Sequence, residues 1–322
     1  MRPSWFCRFC RFSFPREHAV MRSLLPLALV AVSVASARTS SAGGTRSESG
    51  FDSPCDGRGS GSIDVTLQVK PNGVIELQQF GGSVRVTTWA QSNVHLKGSF
   101  APDCHVDISP SGEREELHLS CSHGPGIGDL EIEIPQTSSL DVRGMSTDVE
   151  AHDVGGSVHV QTVSGDIEVK GGAPSEIEVR SISGDIAIAT ASAATRVQSV
   201  SGDVAVSGAR GRATVRTVSG DCSLSGGEFS AIEIETVSGD VSFRGALNGQ
   251  GRFEMNSHSG DITLHLPRTT GADVEMRSTS GDLLIDMGSG RKMAERELDA
   301  RIGPGGAKVR LRSFSGDVKV IE

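Results

Sequence analysis

Thr162-Val-Ser-Gly-Asp-Ile-Glu-Val169 returns as Thr217-Val-Ser-Gly-Asp-Cys-Ser-Leu224 and as Thr236-Val-Ser-Gly-Asp-Val-Ser-Phe243. The Ser-Gly-Asp core occurs eight times, at Gly165-Asp166, Gly184-Asp185, Gly202-Asp203, Gly220-Asp221, Gly239-Asp240, Gly260-Asp261, Gly281-Asp282 and Gly316-Asp317. Successive aspartates lie 19, 18, 18, 19, 21, 21 and 35 residues apart. A degenerate copy, Ser146-Thr147-Asp148, precedes the first by 18 residues. Self-similarity at such a period is the signature of a stacked repeat architecture.

Aligned on the aspartates, the copies form columns. One residue after Asp stand Ile167, Ile186, Val204, Cys222, Val241, Ile262, Leu283 and Val318. Three after stand Val169, Ile188, Val206, Leu224, Phe243, Leu264, Ile285 and Val320, while the residue between ranges from Glu168 to Lys319. That alternation predicts a short strand with one buried face. Six before each Asp every residue is apolar, from Val160 to Leu311; four before, every residue is Ser or Thr, from Thr162 to Ser313. Each unit therefore reads as strand, bend, strand and a Gly-rich connection such as Lys170-Gly-Gly-Ala-Pro174. Three or four inward side chains cannot offset the ordering of some 18 residues, so a unit is stable only when stacked on its neighbours. The expected fold is all-β: a single-chain β-solenoid of 18–21-residue repeats, about eight Ser-Gly-Asp rungs plus a less regular N-terminal β region.

Upstream, Ile63-Asp-Val-Thr-Leu-Gln-Val69 and Leu130-Glu-Ile-Glu-Ile134 alternate in the same way. The sole helical candidate in the mature chain, Arg291 to Asp299, is at most a surface turn. Leu24 to Ala35 is too short to span a bilayer and has the proportions of a signal-peptide core, followed by the small-x-small site Ala35-Ser36-Ala37. The expected layout is an over-extended start at 1–20, a signal peptide at 21–37 and a Ser/Gly-rich linker at 38–62. An N-terminal β region at 63–144 and the regular repeat at 145–322 follow. Cleavage after Ala37, or after Ala42, would export the chain to the periplasm, cell envelope or medium, with no membrane span left. Losing residues 1–37 removes five arginines and one glutamate, taking the net charge from −9 to −13. An acidic chain without a long basic run does not suit nucleic acid or an anionic membrane surface.

Cleavage also removes Cys7 and Cys10 and leaves Cys55, Cys104, Cys121 and Cys222. Folding the segment about Pro110-Ser-Gly-Glu113 sets Cys104 opposite Cys121, where a disulfide is feasible outside the cytoplasm. The rival reading there is a metal site from His105, His118, Cys121 and His123. Cys222, at a column position, is expected to pack as a small hydrophobe.

The Thr-Val-Ser-Gly-Asp repeats, with Gly82-Ser-Val-Arg-Val-Thr-Thr-Trp89 upstream and Gly303-Pro-Gly-Gly-Ala-Lys-Val309 near the end, resemble the bacterial putative-adhesin family of β-strand repeats, a domain-of-unknown-function family. The resemblance covers nearly the whole mature chain. It implies an exported or envelope-associated protein, and it carries no catalytic residue.

The bend residues have a structural reading and a functional one. Glycine supplies an angle that other residues adopt only under strain, and Ser and Asp can cap neighbouring amides. The functional rival is a calcium-binding aspartate column, but calcium rolls repeat at about half this spacing. A polysaccharide-active β-helical enzyme would use an acidic cluster, an Arg or Lys base and aromatic sugar platforms. Trp89 is the one tryptophan of the mature chain, tyrosine is absent, and Arg196, Arg216 and Arg310 are scattered over different columns. No catalytic residue, metal ligand or cofactor is therefore assigned. The expected role is a non-catalytic surface scaffold or adhesin for a protein or surface partner. A self-assembling filament is the alternative, with end-to-end association through an open final strand, Val318-Lys-Val-Ile321.

Overall fold

The computed structural model describes residues 61–322 apart from 71, 102–103, 112–113, 122–126 and 289, and omits the side chains of 104–121, 127 and 228. The expected start, signal peptide and most of the linker, with Cys7, Cys10 and Cys55, lie outside the described residues, as does His123. All regular structure among the described residues is β, in one hydrogen-bonded sheet system.

The middle of the chain follows the expected rung plan. Each rung contributes two successive strands: β8 (Val158–Gln161) with β9 (Ile167–Lys170), β10 (Ile177–Ser183) with β11 (Ile186–Ala189), and β12 (Ala194–Ser201) with β13 (Val204–Ser207). Next come β14 (Arg210–Ser219) with β15 (Cys222–Ser225), β16 (Glu228–Ser238) with β17 (Val241–Arg244), and β18 (Arg252–Ser259) with β19 (Ile262–His265). The first strands of successive rungs pair in parallel and in register, as in Val179↔Val197↔Val215. The second strands do the same, as in Ile186↔Val204↔Cys222. The result is solenoid-like: two parallel ladders joined at every Ser-Gly-Asp bend. The columns at one and three after Asp and at six before it are at most 4% exposed. Burying one such Val or Ile contributes about 1.5–3 kcal/mol. As the repeat lengthens from 19 to 21 residues, Phe229, Phe243 and Phe253 fill the core, with ring centroids 6.0 and 6.3 Å apart.

The two ends depart from the plan. After β19 come β20 (Ala272–Ser280) and β21 (Leu283–Met287), β22 (Gly290–Ala294), β23 (Glu297–Ile302), β24 (Ala307–Ser315) and β25 (Val318–Ile321). The last rung, β24 and β25, lies between β18/β19 and β20/β21, parallel to both neighbours. The 35-residue gap between Asp282 and Asp317 is thus an excursion that returns one rung inward. The expectation of an open final strand is corrected: β25 has a hydrogen-bonded neighbour on each side. The outermost C-terminal rung is instead flanked by antiparallel β22 and β23. These two strands also replace the expected turn of helix at Arg291 to Asp299, because their backbone groups find partners on β21 and β20.

The N-terminal region is built alike. Its strands are β1 (Ser62–Gln68), β2 (Val74–Trp89), β3 (Asn93–Phe100), β4 (Cys104–Ser111), β5 (Arg114–Cys121), β6 (Ile127–Pro135) and β7 (Ser139–His152). β7 is the rung of Ser146-Thr147-Asp148, with its halves pairing with β8 and β9. The sequence boundary at 144/145 therefore falls inside one strand. β2 lies next, parallel to β7, with β5 and β6 on its other side. Antiparallel β4 and β3 follow, and β1 pairs with β3.

Candidate functional site

The repeated bend forms an edge along the stack, and its chemistry is the same from rung to rung. At each Ser-Gly-Asp the glycine has positive φ, from 113° at Gly202 to 152° at Gly316. A Cβ at Gly202 would stand 2.2 Å from the carbonyl oxygen of Gly184, and one at Gly220 the same distance from that of Gly202. Glycine is thus required twice over, by backbone angle and by the closeness of the neighbouring rung.

The next residue sets the electrostatics. The backbone N–H of Asp185 donates to Oδ1 of Asp166 at 2.9 Å, that of Asp203 to Asp185 at 2.9 Å, and that of Asp221 to Asp203 at 2.9 Å. The ladder starts at Asp148 and runs on through Asp240 and Asp261. It then follows spatial order: Asp317 donates to Asp261 and Asp282 to Asp317. Carboxylates about 4.8 Å apart repel by about 0.9 kcal/mol in a water-like dielectric. A hydrogen bond to a charged acceptor contributes about 1.5–3 kcal/mol, so the amide outweighs one neighbour's repulsion. Among the described residues no Lys, Arg or His pairs with the aspartates from 148 to 240. At the C-terminal end Lys319 Nζ lies 3.0 Å from Asp317 and 3.6 Å from Asp261. The Asp282 amide, then Lys319, hold the Asp317 carboxyl below the usual range, and hydrogen bonding to Asp317 raises the Lys319 ammonium.

The Ser/Thr column bonds mostly within its own rung rather than between rungs. Thr162, Ser181, Ser199 and Thr217 donate within their own rung, to the carbonyl two residues on, closing the bend. Ser278 and Ser313 alone among the described copies reach a neighbouring rung's glycine carbonyl. One further column escapes the sequence reading. Three residues before Asp stand Met145, Val163, Ile182, Val200, Val218 and Val237, then His258, and Phe314 from the inserted rung. All are partly or fully exposed, with Phe314 at 53% and stacked 4.8 Å from the His258 ring. They form an apolar ridge beside the aspartates; the column is visible in the aligned copies.

The two outward faces differ. Beyond the first strands lie charged side chains joined by ion pairs: Arg216 with Glu233 and Glu235, Arg310 with Glu275, Arg196 with Glu176. The scattered arginines are therefore paired. Beyond the second strands the middle rungs present Ala187, Ala205, Ser223 and Ser242, and a shallow groove there is floored by Ala187 and Ala205 and walled by Asp166, Asp185 and Asp203.

Outside the edge, Cys222 is a free, fully buried thiol, pushed up to about 12 by burial and by Asp221 and Asp203, and packs as expected. The backbone register pairs Cys104 with Cys121 across β4 and β5. No group of three or more His, Cys, Asp or Glu among the described residues is placed to hold a metal ion. No helix among them is long and apolar enough to cross a membrane.

The family described as Toastrack DUF4097 matches residues 58–213 and 126–321, together almost all of the stack. The chain belongs to that family. Among solved structures, a "putative adhesin" from Bacteroides fragilis NCTC 9343 is 15% identical over 80% of this chain and 96% of its own, with a TM-score of 0.38. A "putative cell adhesion protein" from Clostridium sporogenes ATCC 15579 is 9% identical over 81% and 99%, at 0.29. A "putative lipid binding protein" from Parabacteroides distasonis ATCC 8503 is 8% identical over 81% and 97%, at 0.30. At these scores none carries an argument about this Toastrack chain. The comparison with curated proteins yields no match.

Proposed function

We propose that this Toastrack chain is an exported, non-catalytic scaffold of the cell envelope or surface that binds a protein or surface partner along its stack. The observation that carries the reading is the repeated edge. Side-chain chemistry recurs rung after rung in in-register columns, which suits extended contact with a partner more than convergence on one reacting atom. The apolar core and small-x-small site at residues 24–37 support export. The filament alternative loses its main support, since β25 is interior to the stack.

Two measurements test the reading. Intact mass of protein recovered from envelope or medium should place the N-terminus at Arg38 or Gly43; a chain starting at Met21 or Met1 overturns export. The folded mature protein should bind envelope fractions saturably, and a heat-unfolded control should not. Absence of saturable binding overturns the scaffold.

A further inference from the structure

Two surface columns run side by side along the bend: the apolar ridge and the aspartates. Ridge residues occupy an edge position at which a stack held by its core alone would tolerate polar side chains, yet valine, isoleucine, methionine or phenylalanine fills most rungs. Met145 is 40% exposed, Ile182 38% and Phe314 53%. The line spans nine rungs, from Met145 to Thr279 on the outermost one, about 38 Å at the strand spacing.

Charge narrows the occupant. Each carboxylate from Asp148 to Asp240 spends one oxygen on the next rung's amide, and no side-chain cation among the described residues neutralises it. A second copy docked through the same edge would bring two such columns together, and an anionic lipid surface would be repelled. The other flank of the ridge, five residues before Asp, is mixed: Gln161, Arg180, Gln198, Arg216 and Glu235. A complementary partner is therefore apolar along one line and cationic on one side only.

Resting on the scaffold reading above, we propose that the ridge and the aspartate column together form the docking surface for a cationic amphipathic helix of a protein partner. Its apolar stripe lies on Ile182, Val200 and Val218, and Lys or Arg on one flank faces Asp185, Asp203 and Asp221. At 1.5 Å per residue, about 25 residues match the full ridge. Separation of the two columns favours a stripe with a charged border over a uniformly basic segment.

The test uses the folded mature chain and a labelled helical peptide of ~25 residues with leucine at i, i+3, i+4 and i+7 and lysine on one flank. The control has the same composition in scrambled order. Anisotropy should show saturable one-to-one binding to the amphipathic peptide, at least about tenfold tighter than to the control, and weakening with salt. Ile182→Thr/Val200→Thr/Val218→Thr keeps β-branching and should lower affinity about tenfold with little change in melting temperature. Asp185→Asn/Asp203→Asn keeps the amide acceptors and should flatten the salt dependence. Equal binding of the scrambled peptide, unchanged affinity of the folded threonine variant, or a concentration-dependent dimer that hides the ridge would overturn the proposal. An envelope partner retained by the threonine variant would overturn the ridge and leave the scaffold standing. No envelope binding by the unaltered chain would overturn the scaffold, with the peptide titration still judging the ridge.

Discussion

In the middle of the stack, from Asp148 to Asp261, each rung rests on the one that precedes it in the chain, and the carboxylate-to-amide bonds join residues 18 to 21 apart. At the C-terminal end the same bond joins Asp317 to Asp261 and Asp282 to Asp317, spans of 56 and 35 residues. The motif is unchanged; the neighbour is not. The N-terminal end is built likewise, with β2 lodged between β7 and the β5/β6 rung. Past both ends the parallel ladders give way to antiparallel strands. The repeat thus specifies stacking, while non-repeated sequence specifies where stacking stops, the role of terminal capping units in repeat proteins.

The comparison breaks first at a mid-stack glycine. Gly202→Val puts a branched side chain at φ +113° with its Cβ against the Gly184 carbonyl. The expected loss is about 4 kcal/mol, from strain and overlap together. Ser207→Ala, at the end of β13, removes only a 3.4 Å hydroxyl contact to the Ile188 carbonyl and should cost far less; equal melting temperatures for the two would refute the bend assignment. At the N-terminal end, the register of Cys104 with Cys121 predicts a bridge that contributes about 3 kcal/mol by closing its loop. Non-reducing peptide maps of the natively purified protein should show the linked pair, and two alkylatable thiols would reject it.

A smaller effect separates amides from cations along the aspartates. Asp203→Asn still accepts the Asp221 amide and relieves charge, so destabilisation should stay below about 1 kcal/mol. Melting temperatures in EDTA and in millimolar calcium should agree; a rise with calcium beyond matched ionic strength would transfer the stabilising role to bound ions. The smallest effect is pH-linked and belongs to the N-terminal end. His95, stacked on Trp89, hydrogen-bonds Asp64 of β1 and Glu133 of β6, which raise its pKa. Its contribution is therefore fully present below the ordinary value near 6.5 and is lost as pH rises through the raised folded value. His95→Gln should flatten melting temperature against pH in that window, and an unchanged profile would remove His95 from the account.

Much of the stack was legible because the repeat aligns itself: Ile186, Val204 and Cys222 share a column in sequence and in space, and burial follows from alternation alone. The glycine requirement was legible for the same reason. The direction of the Ser/Thr hydrogen bonds was not, since a hydroxyl at Ser181 can reach either its own rung or the next, and the bend geometry decides. Nor were the ion pairs of Arg216 and Arg310, which depend on register across rungs. The ridge's apolar residues stand three before each Asp in the sequence, but their exposure was not legible, because an apolar strand position ordinarily marks burial. The order of the last two rungs was not legible, because a 35-residue gap reads equally as an insertion or as a return path.

That order is the central claim, and cross-linking tests it most directly. Thr263 of β19 pairs with Lys319 of β25, which pairs in turn with Leu284 of β21. Adjacent rungs lie about 4.8 Å apart, within disulfide reach, whereas two rungs span about 9.6 Å and exceed it. Thr263→Cys/Lys319→Cys should therefore form an intramolecular disulfide under mild oxidation, and Thr263→Cys/Leu284→Cys should not. The opposite outcome would place the rungs in chain order, return β25 to the end of the stack and contradict the account.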